Sequence, residues 1–123
     1  MTIGMLEHVN ITVSDAQRTA DMLCGLFGWH RRWEGRGRSG GFTVHVGTDH
    51  AYLSVYHRAP DAAAAIERGC LNHIGVLVDD LDEAERRVRE AGYEPYNHGA
   101  YEPGRRFYFD DHDGIEYEVV SYA

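Results

Sequence analysis

The sequence predicts an α+β fold: two βαβββ modules in tandem, forming a cupped eight-stranded mixed sheet around a cavity. Three observations predict it. Leu6–Asp15, LEHVNITVSD, returns 65 residues later as Leu71–Asp80, LNHIGVLVDD, pairing His8 with His73, Ile11 with Val76 and Asp15 with Asp80. Both copies alternate apolar and polar residues with a period of two, the pattern of a strand with one face on a core. Each copy then runs into helically spaced apolar residues followed by three further strand-like runs.

Taken in order, Glu7–Val13 sets Val9, Ile11 and Val13 against His8, Asn10 and Thr12. Ser14 or Asp15 caps a helix over Asp15–Phe27, with Ala16, Ala20, Leu23 and Phe27 on one side and Gly28 as its stop. Trp29–Trp33 is the second strand and Gly35–Gly41 a loop. Phe42–Val46 and Ala51–His57 pair across the turn Gly47–His50, and a short connector helix is expected over Asp61–Arg68. The second module repeats the order: strand Leu71–Val78, helix Leu81–Ala91 stopped by Gly92, then strands Tyr93–Asn97, Arg106–Asp110 and Ile115–Tyr122. Pro103 and Gly104 fall in a loop, and Asp111–Gly114 is a turn. Module 1 is thus about 1–58, the connector 59–70 and module 2 about 71–123, within one domain over residues 1–123.

A chain of 123 residues with 43% hydrophobic and 26% charged residues reads as a globular protein. Its formal net charge of -8 speaks against nucleic acid or an anionic membrane as partner, since both would repel it. Cys24 and Cys70 lack metal-ligand spacing and read as reduced thiols, which with the absence of a leader-like start gives a cytoplasmic expectation. Eight histidines point instead to metal or proton chemistry.

Alternation gives the face opposite the helices. In the first module it carries His8, Asn10, Thr12, Thr43, His45, Tyr52, Ser54 and Tyr56; in the second, His73, Gly75, Leu77, Arg106, Tyr108, Asp110, Glu116, Glu118 and Val120. Leaving such groups dry and unpaired would cost ~1–3 kcal/mol each, so a ligand-filled cavity explains the pattern better than a packed core. His8 and His73 occupy repeat-related positions, and Glu118 in IEYEVV adds a carboxylate. Two histidines and one carboxylate form the set that leaves open positions on non-haem Fe(II). The remaining polar residues, Asn10, His45, Tyr52, Ser54, Tyr56, Arg106 and Glu116, are read as pocket lining.

The paired modules, the histidines in EHVNITV and NHIGVLV, and the ending DDHDGIEYE resemble the vicinal-oxygen-chelate superfamily over nearly the whole chain. Members include glyoxalase I, bleomycin and fosfomycin resistance proteins, methylmalonyl-CoA epimerase and type I extradiol dioxygenases. The resemblance implies a divalent metal held by His8, His73 and Glu118, Fe(II) first and Ni, Zn, Mn or Co as alternatives. Where glyoxalase I and the epimerases carry a fourth ligand, this chain has Ser54, a poor ligand. That departure favours the three-ligand extradiol dioxygenases. Their signature is matched by Tyr108, Asp111, Gly114 and Glu118, with His112 where proline is expected. It implies that His57 is the second-shell acid/base, that Tyr108 donates to a substrate oxygen, and that His98 stands near the place of a further histidine. His57 and His98 read equally as strand-end residues. The expected activity is Fe(II)-dependent ring cleavage of a catechol-like small molecule. A lyase, isomerase or fosfomycin-type thiol transferase using another metal is the alternative, and a non-catalytic drug-binding protein of the bleomycin-resistance type is the third class. A homodimer is expected, because a lone eight-stranded member leaves sheet edges open.

Overall fold

In the computed structural model the described residues are 5–36, 40–61, 71, 73–101 and 104–123. The chain divides between residues 65 and 66 into two compact units, each built on one strand–helix–strand–strand–strand module. The expected connector helix lies almost wholly outside the described residues.

The first unit runs β1 (His8–Thr12), α1 (Ala16–Phe27), β2 (His30–Arg36), β3 (Phe42–Gly47) and β4 (Tyr52–His57). Its mixed sheet has the order β1-β4-β3-β2, with β1 and β4 parallel and the other pairs antiparallel. The Asp15 side chain accepts from the N–H groups of Gln17 and Arg18 to start α1, and Gly28, at φ 70°, ends it. Ala16, Ala20, Leu23 and Leu26 of α1 bury against the sheet at β3 and β4, where Val44, Val46, Leu53 and Val55, with Ile11 of β1, form the core of this unit.

The second unit runs β5 (Ile74–Leu77), α2 (Leu81–Glu90), β6 (Tyr96–Tyr101), β7 (Gly104–Asp110) and β8 (Glu116–Ser121), in the sheet order β5-β8-β7-β6. Asp80 caps α2 by accepting from the Glu83 N–H. At its other end Gly92, at φ 93°, lets its own N–H reach Arg89 and that of Tyr93 reach Val88, so the last carbonyls are satisfied. Leu81, Ala84 and Val88 bury on the side of β7 and β8, where Phe107, Phe109, Tyr117 and Val119, with Val76 of β5, form the core. Asp111 fixes the turn before β8, accepting from the N–H groups of Asp113 and Ile115 and from the Tyr117 hydroxyl.

Several strand bounds differ from expectation, for local reasons. β2 continues to Arg36 because Glu34, Gly35 and Arg36 pair with Val44, Thr43 and Phe42, so the expected loop begins later. β6 starts at Tyr96 rather than Tyr93, since Tyr93 closes α2 and Pro95 has no N–H to give a ladder. β5 is shorter than the run Leu71–Val78, its ladder spanning only Tyr117–Val120 of β8. Gly104, expected in a loop, opens β7; a Cβ there would lie 2.3 Å from the Ser121 carbonyl oxygen.

Candidate metal centre and ligand face

In each unit the sheet face away from the helix is the polar one, and strand register builds it in rows. In the second unit Gly75, Glu118, Tyr108 and Tyr96 are successive partners across β5, β8, β7 and β6. His73 stands just before β5, with Nε2 3.1 Å from Glu118 Oε1 and Nδ1 4.0 Å from Glu116 Oε1. The other Glu118 oxygen accepts from Arg106 Nη1 at 2.8 Å, and only 11% and 14% of these two side chains is exposed. Tyr108 presents its ring edge-on to His73, centroids 6.0 Å apart. The Tyr96 hydroxyl donates toward Asp110 at 2.7 Å and Glu116 at 2.5 Å; burial and these two carboxylates push its pKa up.

In the first unit Asn10, Ser54, His45 and Trp33 form the equivalent row. Asn10 Nδ2 donates to Ser54 Oγ at 3.0 Å, so Ser54, which is buried, is occupied by a neighbour. His8 lies flat on Tyr52 at 5.0 Å, Tyr52 meets His45 at 4.6 Å, and His45 meets Trp33 at 5.1 Å. Arg32, the extra residue of a bulge in β2, sits 4.3 Å from the Tyr52 ring centroid on the same ladder of rings. Burial, helped by the charges of His8 and Arg32, pushes the His45 pKa down. Thr12, Tyr56 and Thr43 make the next row.

His8 Nδ1 lies 2.8 Å from Glu7 Oε1. A carboxylate at Nδ1 favours the tautomer with its proton there, leaving a lone pair on Nε2, the state that a metal ligand needs. Glu7 and Glu116 are therefore side-chain partners of the two candidate histidines. Glu116 was legible as a face residue, whereas Glu7, which precedes β1, was not singled out.

The remaining expected residues lie elsewhere. His57 follows Val55 on the helix side of β4, and its Nδ1 accepts from the Ala16 N–H at 2.9 Å. His98 is turned by a β6 bulge at Asn97, whose φ is 56°, so that Gly99 rather than His98 opposes Arg106. The His98 ring then meets Phe107 at 6.0 Å and Glu85 of α2 at 3.0 Å. Both histidines tie a helix to its sheet. His112, in the turn, meets the Tyr93 hydroxyl at 2.9 Å. Within either unit, and among the described residues, no three His, Cys, Asp or Glu side chains converge to hold a metal ion.

The donor chemistry nevertheless suits a divalent cation. Two donors each ~2.1 Å from one metal and about a right angle apart lie ~3 Å from one another, the spacing that His73 and Glu118 already have.

Residues 5–119 match the family described as the Glyoxalase/Bleomycin resistance protein/Dioxygenase superfamily. Among solved structures, the glyoxylase/bleomycin resistance protein/dioxygenase domain from Frankia sp. EAN1pec is 21% identical, with 98% of both chains covered and a TM-score of 0.81. The E126Q mutant of the fosfomycin resistance protein FosX from Listeria monocytogenes, complexed with Mn(II) and 1S,2S-dihydroxypropylphosphonic acid, is 20% identical. That pair covers 97% of this chain and 93% of the other, with a TM-score of 0.75. TioX from Micromonospora sp. ML1 is 19% identical, covering 98% and 100%, with a TM-score of 0.73. No curated protein matches the chain.

Proposed function

This chain belongs to the glyoxalase/bleomycin resistance protein/dioxygenase superfamily, and from that premise we propose that it is a metal-dependent enzyme acting on a small molecule. The observation that carries the reading is the His73–Glu118 pair, an imidazole and a carboxylate at the spacing of two ligands on one cation. His8 is proposed as the further imidazole, on its repeat position and on the tautomer that Glu7 favours. The divalent metal would supply Lewis acidity, and as Fe(II) also oxygen chemistry, to a substrate chelated through its oxygens.

The chain's own groups do the rest. Arg106 holds the second oxygen of Glu118, so the carboxylate is fixed in rotamer beside His73. Tyr108, in the row next to Glu118, is proposed to donate to a substrate oxygen. Asn10, His45, Tyr52, Ser54 and Tyr56 are proposed as pocket residues, with Arg106 and Glu116 serving the ligand pair.

The first reaction proposed is Fe(II)-dependent extradiol cleavage of a catechol-like molecule, supported by Tyr108 standing beside His73 and Glu118. A second reading, a lyase, isomerase or thiol transferase using Mn, Ni, Zn or Co, is favoured by one observation: His57 and His98 are both engaged on the helix side of their sheets. His57 accordingly has no proton-transfer role in either. The test is oxygen uptake with a catechol panel by the Fe(II)-loaded chain beside Glu118→Gln. Uptake lost in the variant supports the first reading; no uptake, with turnover of carbonyl or epoxide substrates by the Mn(II)-loaded chain, replaces it with the second. A homodimer is proposed as well, because each four-stranded sheet has two edge strands, and sedimentation velocity reads it directly.

A further inference from the structure

We infer that the first unit carries a separate anion site, a cavity between Arg36 at the end of β2 and Arg58 just past β4, that takes a tetrahedral oxyanion such as phosphate or a phosphoryl group. The cavity measures about 640 Å³ and its wall includes Asp15, Arg36, Phe42, His57 and Arg58. It is not part of the polar face. Phe42 and His57 are register partners on the helix side of the sheet, and Asp15 lies seven residues beyond His8, roughly 20 Å along an extended chain.

Charge is the first argument. In a chain of net charge -8, Arg31, Arg86, Arg87, Arg89, Arg105 and Arg106 each have a carboxylate partner. Four described arginines, Arg18, Arg32, Arg36 and Arg58, have no carboxylate partner among the described residues; Arg32 is held by the Thr48 carbonyl and the Tyr52 ring, whereas Arg36 and Arg58 both border this cavity. Two exposed guanidiniums bordering one concavity make it locally positive, and their forked donors suit phosphate oxygens. His57 adds a third donor. Its Nδ1 accepts from the Ala16 N–H, so in the neutral ring the proton is on Nε2, which can only donate. Asp15 is the one carboxylate among the described lining residues, and one of its oxygens is taken by the Gln17 and Arg18 N–H groups.

Size is the second argument. The volume lies in the small-molecule range and exceeds what an inorganic oxyanion fills, and Phe42 and Pro60 give it apolar wall. The same site therefore serves a free phosphate or a phosphate monoester with an apolar group.

Titration calorimetry on the full chain at low ionic strength, with inorganic phosphate and then phenyl phosphate, tests this. We expect saturable binding that weakens at least about tenfold in Arg36→Ala/Arg58→Ala, returns in Arg36→Lys/Arg58→Lys, and is unchanged in His73→Ala. Phenyl phosphate binding more tightly than phosphate identifies the monoester as the ligand; equal affinities identify the free ion. Absence of saturable binding by both probes overturns the site, as does affinity unaffected by the double alanine variant. Loss in His73→Ala instead assigns the anion to the metal face and overturns it equally.

Discussion

Glu118 has its two oxygens on different partners, Arg106 and His73, and a substitution of either partner has a distinct consequence. Replacing Arg106 by Leu leaves a nearly covered carboxylate without its cation. The expected loss of stability is about 2–3 kcal/mol, below the range for fully buried pairs because some solvent reaches both groups. A divalent metal supplies the missing positive charge, so urea melts of Arg106→Leu should recover with added metal more than those of the parent chain. Equal shifts in the two would argue that Glu118 is a structural anion rather than a ligand. His45 gives a pH-dependent prediction. Its folded pKa lies below the ordinary 6.5, so the unfolded chain takes up the proton more readily. Its contribution to stability is whole above 6.5 and is lost as the pH falls from there through the folded value. His45→Phe should flatten that part of the stability profile, and an unchanged slope would place the titration on another group.

At the scale of the element, the helices begin and end where the local chemistry says they should, and the strands shift where bulges intervene. Asp15, Asp80, Gly28 and Gly92 were legible because a cap or a left-handed residue is written in one residue and its neighbours. Most of the two rows was legible because side-chain alternation has a period of two and so fixes the face of each residue; Trp33 and Tyr96 were not, because their places come from the pairing of β2 and β6. Two bulges break that rule. The one at Asn97 carries His98 to the helix side, and the one at Arg31–Trp33 brings Arg32 over Tyr52, neither of which a strict alternation reveals. His57 is a different case: it keeps the alternation, but its use as an acceptor for the α1 backbone depends on where that helix docks. Its expected behaviour is that of a helix-end group. His57→Ala should cost about 0.5–2 kcal/mol in urea unfolding, as loss of a capping acceptor does, while metal-dependent turnover stays within about twofold of the parent. A turnover loss of more than tenfold at parental stability would return His57 to the chemistry.

For the whole molecule, the acidic balance of -8 favours cations and disfavours polyanions as partners, and no helix among the described residues is long and apolar enough to cross a membrane. What the repeat contributes is a histidine at one position in both units; Glu7 lies 2.8 Å from Nδ1 of the first, and Glu116 lies 4.0 Å from Nδ1 of the second. In metal sites a carboxylate at Nδ1 orients the ligating imidazole, and that is the role proposed for both. The direct measurement is elemental analysis of the chain purified without chelator under anaerobic conditions, beside His8→Ala, His73→Ala and Glu118→Gln. Near-stoichiometric divalent metal in the parent, with occupancy reduced at least about tenfold in each variant, is the predicted result. A parent chain that takes up no divalent metal even on reconstitution, or variants that bind it as well as the parent does, would contradict the proposal that this protein is a metal-dependent enzyme.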